Sequence, residues 1–175
     1  NSTNRGFIED CLEKAIKKLG KDDEVDVFPR VDKDTSGIPG SPDIAETILQ
    51  KIDGCVAFVA DVTIINSPAT RFGELFTRFY RPRLTPNPNV LVELGYAVKS
   101  LGWDNVICIQ NNVYGTPEAL PFDLKKRRVF GYELFPNQEK KAEKIVLTNV
   151  LEEQLKSSLS DVRLKTEPKV EVTFW

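Results

Sequence analysis

The stretch "GCVAFVADV", residues 54 to 62, constrains the fold more than any other part of this chain. It is a continuous apolar run with β-branched enrichment and no polar alternation, which suits a strand buried on both faces of a parallel sheet. Such a sheet needs helices on either side, and the flanking sequence supplies them. Phe7, Ile8, Cys11, Leu12, Ala15, Ile16 and Leu19 recur at three- and four-residue intervals, predicting an amphipathic helix from Asn4 to Leu19 that Gly20 stops. "EVDVFP" alternates as a short strand and leads into "RVDKDTSGIPG", a loop rich in Gly, Pro and Asp. Ser41, Pro42 and Asp43 read as N-cap, first helical position and dipole-favoured acid of a second helix, with Ile44, Ile48 and Ile52 on one face.

Downstream, "NPNVLVELGYAVKSLG" predicts a third helix, "NVICIQ" and "RVFGYEL" two further strands, and Gln138 to Leu159 a last helix. Between Thr63 and Asn87 the periodicity disappears, although "RFGELFTRFY" suits a short helix, and connections of that length tend to be functional. Strands alternating with helices predict an α/β fold, a parallel sheet of about five strands with helices on both faces. The strand that should precede the first helix is missing from this chain, which opens "NSTNRGF" without Met, so it is expected upstream. Residues 1–160 then form one domain and 161–175, ending in "KVEVTFW", a tail or edge strand, which is also the one spare strand that could fill the gap left by the missing one. In such sheets ligands bind outside the carboxyl ends of the strands, so the loops after Phe28, Asp61 and Gln110 become the candidate site.

Composition narrows the chemistry. The chain has no histidine, which removes the commonest general base and metal ligand and leaves carboxylates, hydroxyls, amides and cations. Cys11, Cys55 and Cys108 each sit in an apolar pattern without ligand-like spacing and read as reduced core residues, so no metal is expected. A net charge of −2 spread over mixed stretches offers no basic footprint for nucleic acid. No apolar run is long enough to span a bilayer and no signal peptide is visible, so a cytoplasmic protein is expected.

One carboxylate stands out. At about 100° per residue, Val90, Leu91, Leu94, Ala97, Val98 and Leu101 fall in one sector and face the sheet, whereas Glu93 lies roughly 90° to its side, with Asn89, Tyr96 and Ser100 near it. With Asn87 as cap and Pro88 at the first helical position, this helix end also points backbone N–H groups at the loop after Asp61. Glu93 reads either as a partly exposed helical glutamate or as the residue around which a site is built. Asp61 likewise reads either as a turn cap or as a site residue.

"DKDTSGIPGSPDIAETILQKIDGCVAFVADVTIINS" resembles the central stretch of a TIR domain, whose next helix carries a catalytic glutamate; "NPNVLVELGYA" is similar to that helix and Glu93 to that glutamate. "NRGFIEDCLEKA", "PNVLVELGYA" and "LPFDLKKR" resemble the bacterial TIR-like family of nucleotide-linked antiphage defence, over roughly residues 4 to 135. The chain differs from most TIR domains in carrying Asn89 where they place a Trp-Cys pair shortly before the glutamate, and in the longer insertion ahead of the helix. "ELGYA" also resembles nucleoside deoxyribosyltransferases.

The resemblance implies a flavodoxin-like (TIR-type) fold and an NAD⁺ glycohydrolase that cleaves the nicotinamide–ribose bond, with NAD⁺ as substrate rather than cofactor. It further implies an antiphage effector activated by self-association, a homo-oligomer formed through TIR–TIR contacts, for which the loop from Asp32 to Gly40 is the natural surface. Cleaving that bond needs a carboxylate to stabilise an oxocarbenium-like ribose and no proton for the departing pyridine, so Glu93 suffices. A deoxyribosyltransferase would need a second, proton-donating group such as Asp61 or Asp123. Around Glu93, the candidate substrate-binding residues are Asp61, Asn89, Arg5, Tyr96, Phe122 and Asp123. Arg5 would meet a phosphate or merely form a surface ion pair, and Phe122 would stack on a base or plug the core. A non-catalytic nucleotide-sensing or TIR-interaction module is the alternative from a different class.

Overall fold

The computed structural model of the chain describes residues 2–21, 30–32, 43–66, 83–136, 138–162 and 171–174. Helix α1 (Ser2–Leu19) is followed by β1 (Arg30–Asp32), α2 (Ile44–Gly54), β2 (Ala57–Asp61), α3 (Pro88–Leu101), β3 (Val106–Asn111), β4 (Val129–Tyr132), α4 (Lys141–Val162) and β5 (Glu171–Phe174). Strands β2, β3 and β4 pair in parallel, with Phe58 opposite Val106 and Cys108 opposite Val129. This parallel sheet and its helices make an α/β arrangement.

Strand β5 lies along the other side of β2, with Ala57 opposite Val172, and β1 lies along β5, giving the order β1-β5-β2-β3-β4. The C-terminal segment is therefore an interior strand rather than a tail or an edge, because both of its sides are hydrogen-bonded. It holds the place beside β2 that the sequence reading leaves open for a strand ahead of α1. "EVDVFP" lies outside the described residues. The strand that is described, Arg30–Asp32, falls in what reads as loop, since three residues are too few to display a period of two.

The apolar pattern sorts into two cores by strand alternation. Ala57, Val59, Ile107 and Ile109 pack with Phe7, Leu12 and Leu19 of α1 and Leu147, Leu151 and Leu155 of α4. Phe58, Ala60 and Cys108 face the other way, against Ile48 and Ile52 of α2 and Val90, Leu94 and Ala97 of α3. Helices α1 and α4 run parallel, because Lys144 reaches Asp10 and Glu152 reaches Lys18, eight residues further along both.

Helix α2 starts two residues later than expected. Its N-cap is Asp43, whose Oδ1 accepts the Glu46 N–H at 3.1 Å, while Ser41 and Pro42 lie outside the described residues. Glu46 stands at the capping-box position relative to Asp43. Ile44, placed by the pattern on the apolar face, is 63 % exposed, whereas Ile48 and Ile52 are buried, so the layer covers α2 only from its second turn. Among the described residues, no helix is long and apolar enough to cross a membrane.

Candidate functional site

At the carboxyl end of β2 the chain turns sharply, and Asp61 holds the turn. Its Oδ1 accepts the Thr63 N–H at 3.0 Å and the Thr63 hydroxyl as well. Thr63 Oγ1 in turn accepts the N–H of Asn111, the last residue of β3, at 2.9 Å. Fully buried Asn111 ties the strand ends to their surroundings. Its Oδ1 accepts from Leu134 N at 3.1 Å and Val113 N at 3.2 Å, and its Nδ2 donates to Leu134 O at 2.9 Å and Asn4 Oδ1 at 3.3 Å. Burial raises the Asp61 pKa above the usual carboxylate range, opposed by its bonds from Thr63. Burial also pushes the Tyr132 hydroxyl well up, and the Asp61 charge adds to it.

Alternation decides which way Asp61 faces. It shares a side with Ala57 and Val59, toward α1 and α4, and its electrostatic neighbour Tyr132 packs on Phe7 of α1 with ring centroids 5.4 Å apart. Glu93 belongs to α3, on the opposite side of the sheet. The sheet layer therefore separates the two carboxylates, and Asp61 carries the turn-capping role that its position also allowed.

Helix α3 begins as its sequence dictates, with Asn87 as N-cap and Pro88 in the first turn; Asn87 Oδ1 accepts the Asn89 N–H at 3.0 Å. Val90, Leu94 and Ala97 are buried, while Leu91, Val98 and Leu101 pack half-buried against the same core. Glu93 is half-buried beside them, and its Oε2 is withdrawn from solvent. The loop after β2 meets the approach to this helix directly. Ile65 N–H donates to Thr85 O at 3.1 Å, Asn66 Nδ2 to Arg83 O at 2.6 Å, and Thr85 N–H to Asn66 Oδ1 at 2.9 Å. Arg83, Leu84, Thr85, Leu120, Pro121 and Phe122 line a cleft of about 530 Å³ there. Beyond β3, Gly115 lets the chain pass close to Ile64: its φ of 142° favours glycine, and a Cβ there would meet Ile64 Cδ1 at 2.6 Å.

The other anticipated residues separate. Tyr96 turns toward α2, donating its hydroxyl to Asp53 Oδ2 at 2.7 Å, while Ser100 donates to Asp53 Oδ1 at 2.7 Å. It ties two helices together instead of reaching a ligand at the strand ends. Arg5 is exposed and its Nε pairs with Glu9 Oε1 at 3.2 Å, the surface ion pair that its position also allowed. Phe122 is 60 % exposed and so is not a core plug; Lys126 Nζ stands 3.9 Å from its ring centroid. Asp123 and Asn89 are exposed. Cys11, Cys55 and Cys108 are free and buried, and burial pushes the Cys11 and Cys108 thiols up to about 11, so neither is a thiolate nucleophile near neutrality.

Thr63, Asn111 and Asn4 are the polar residues that sequence reasoning passed over. The available signal was a buried apolar strand ending in consecutive amides, Gln110 and Asn111. No protein-family model matches this chain, and no curated protein or solved structure matches it significantly.

Proposed function

We propose that the chain is a TIR-like NAD⁺ glycohydrolase of flavodoxin-like fold in which Glu93 stabilises the oxocarbenium-like ribose as nicotinamide departs. The observation that carries this reading is the cleft at the approach to α3. It offers an exposed ring in Phe122 for a base and a cation in Arg83 for a phosphate, and it lies just ahead of α3, whose half-buried Glu93 is not among its lining residues. Its size falls within the roughly 300–1,000 Å³ typical of small-molecule sites. A carboxylate partly withdrawn from water acts more strongly on developing positive charge than a solvated one. Departure of a neutral pyridine needs no proton donor, so a single carboxylate is enough.

A nucleoside deoxyribosyltransferase fits these observations less well. It calls for an acid beside Glu93: Asp61 faces the other side of the sheet, which leaves Asp123, exposed next to Phe122. The resemblance extends to a role in bacterial antiphage defence and to activation by self-association; its expected contact loop, residues 33–40, lies outside the described residues. The decisive experiment incubates concentrated protein with NAD⁺ and follows nicotinamide by chromatography. Glu93→Gln should keep the parent's melting temperature and lose on the order of 100- to 1,000-fold in rate. Equal activity in parent and variant would remove Glu93 from catalysis, and equal rates with and without parent protein would leave the sensing module as the better reading.

A further inference from the structure

A groove between α1 and α4, on the side of the sheet away from α3, is lined mostly by lysines. Lys14, Lys17, Lys18 and Lys21 of α1 and the turn after it, with Lys141 and Lys144 of α4, surround a cavity of about 500 Å³ whose floor includes Ile145. Two of these six cations form close ion pairs among the described residues, Lys18 Nζ with Glu152 Oε2 at 2.8 Å and Lys144 Nζ with Asp10 Oδ2 at 2.5 Å, and Lys14 acts on the Asp10 carboxylate through its charge. Lys14, Lys17, Lys21 and Lys141 make no ion pair within that set. A chain with net charge −2 thus gathers a quarter of its 24 cationic side chains around one concavity.

Helix pairing accounts for only part of this placement: Asp10 and Glu13 stand four residues before Lys14 and Lys17, a favourable spacing, whereas Lys14 and Lys18, like charges one turn apart, repel. Lys141 and Lys144 stand in the first turn of α4, at the positive end of the helix dipole, where cations are disfavoured. Lysines from both of these parallel helices line the groove.

We propose that this groove binds a small anion carrying two or more phosphate groups, at a site separate from Glu93 and from the cleft ahead of α3, and independent of any activity there. The α1 lysines span about 6 Å along the helix axis, from Lys14 to Lys18 at 1.5 Å per residue, and Lys21 in the turn beyond extends the row. That length suits a short polyphosphate, and the exposed side chain of Ile145 offers apolar contact to whatever the phosphates are attached to. A nucleic-acid strand or an anionic membrane would call for a longer or flatter track of charge than a concavity of this volume.

The test uses the intact chain and sodium tripolyphosphate, followed by calorimetric titration and thermal shift, with sodium sulfate at equal ionic strength as control. Tripolyphosphate should bind, raise the melting temperature beyond the sulfate control, and weaken as salt rises. The triple change Lys14→Glu, Lys17→Glu, Lys141→Glu should reduce affinity at least about tenfold. Lys125→Glu with Lys126→Glu, beside Phe122, should bind as the parent does. Should the triple variant fail to fold, Lys14→Gln with Lys141→Gln removes charge without reversing it and should still weaken binding severalfold. An equal shift with sulfate, unchanged affinity in the groove variants, or an equal loss in the Lys125/Lys126 control would overturn the proposal. So would retention on phosphatidylserine vesicles or single-stranded DNA under conditions where tripolyphosphate does not bind.

Discussion

Asn111 and Asp53 do the same job in two different places. Each lets a single side chain tie together elements distant in sequence: Asn111 joins β3 to α1 and to the segment after β4, and Asp53 joins α2 to α3. Judged by length, the Asp53 bonds are the better ones, both 2.7 Å against 2.9 to 3.3 Å around Asn111. Burial reverses that ranking. Asn111 is fully buried and its partners include backbone groups that would lose every alternative, whereas water stands ready to replace Tyr96 and Ser100 at exposed Asp53. A hydrogen bond matters in proportion to what its partners would face without it.

The largest test of that contrast is Asn111→Ala. It strands the Leu134 N–H and C=O and the Val113 N–H, each costing about 1–3 kcal/mol when buried and unsatisfied. A melting temperature lower by at least roughly 6 °C is expected for a chain of this size. A loss below about 2 °C would show that water enters the strand ends and that the cluster is not sealed.

Asp61 lies between the two extremes, and its test is a pH dependence. Its folded pKa is raised above the ordinary 3.8 by burial, so between that value and the raised one the folded state binds more protons than the unfolded. Stability from this group is full below the ordinary pKa and declines as pH climbs through the folded one. Asp61→Asn keeps an oxygen to accept from Thr63 and cannot ionise. Its melting temperature should therefore gain on the parent's as pH rises from about 4 toward neutrality. Parallel curves for the two proteins would mean that the carboxylate is effectively solvated.

The smallest effect belongs to the exposed node. Tyr96→Phe removes one 2.7 Å bond to Asp53 yet should shift the melting temperature by less than about 2 °C, as surface changes usually do. The same variant should leave any NAD⁺ cleavage unchanged, since Tyr96 is directed at α2; a rate loss of about tenfold or more would return it to the substrate site.

Much of this was legible locally. The uninterrupted run from Ala57 to Asp61 announces a strand covered on both faces, and Asn87-Pro88 announces where α3 begins. The spacing of Val90, Leu94 and Ala97 places Glu93 at the rim of the apolar stripe, and the structure has it half-buried there. Less was legible where two readings shared one local pattern. Arg5 as ion pair or phosphate ligand, and Asp61 as cap or site residue, differ only in what stands opposite them in space.

The sequence by itself determined the class of fold and the periodic faces of its helices, because these follow from patterns contained within a single element: the period of two or 3.6, the cap, the breaking glycine. Only the tertiary structure decided that Glu171–Phe174 enters the sheet between β1 and β2, since strand pairing joins segments far apart in the chain and leaves no mark in either one alone. It likewise decided that Asp61 and Glu93 stand on opposite sides of the sheet and that Tyr96 serves Asp53. A side chain's direction along a strand or helix is a local matter, but the neighbour it meets is fixed by the packing of layers.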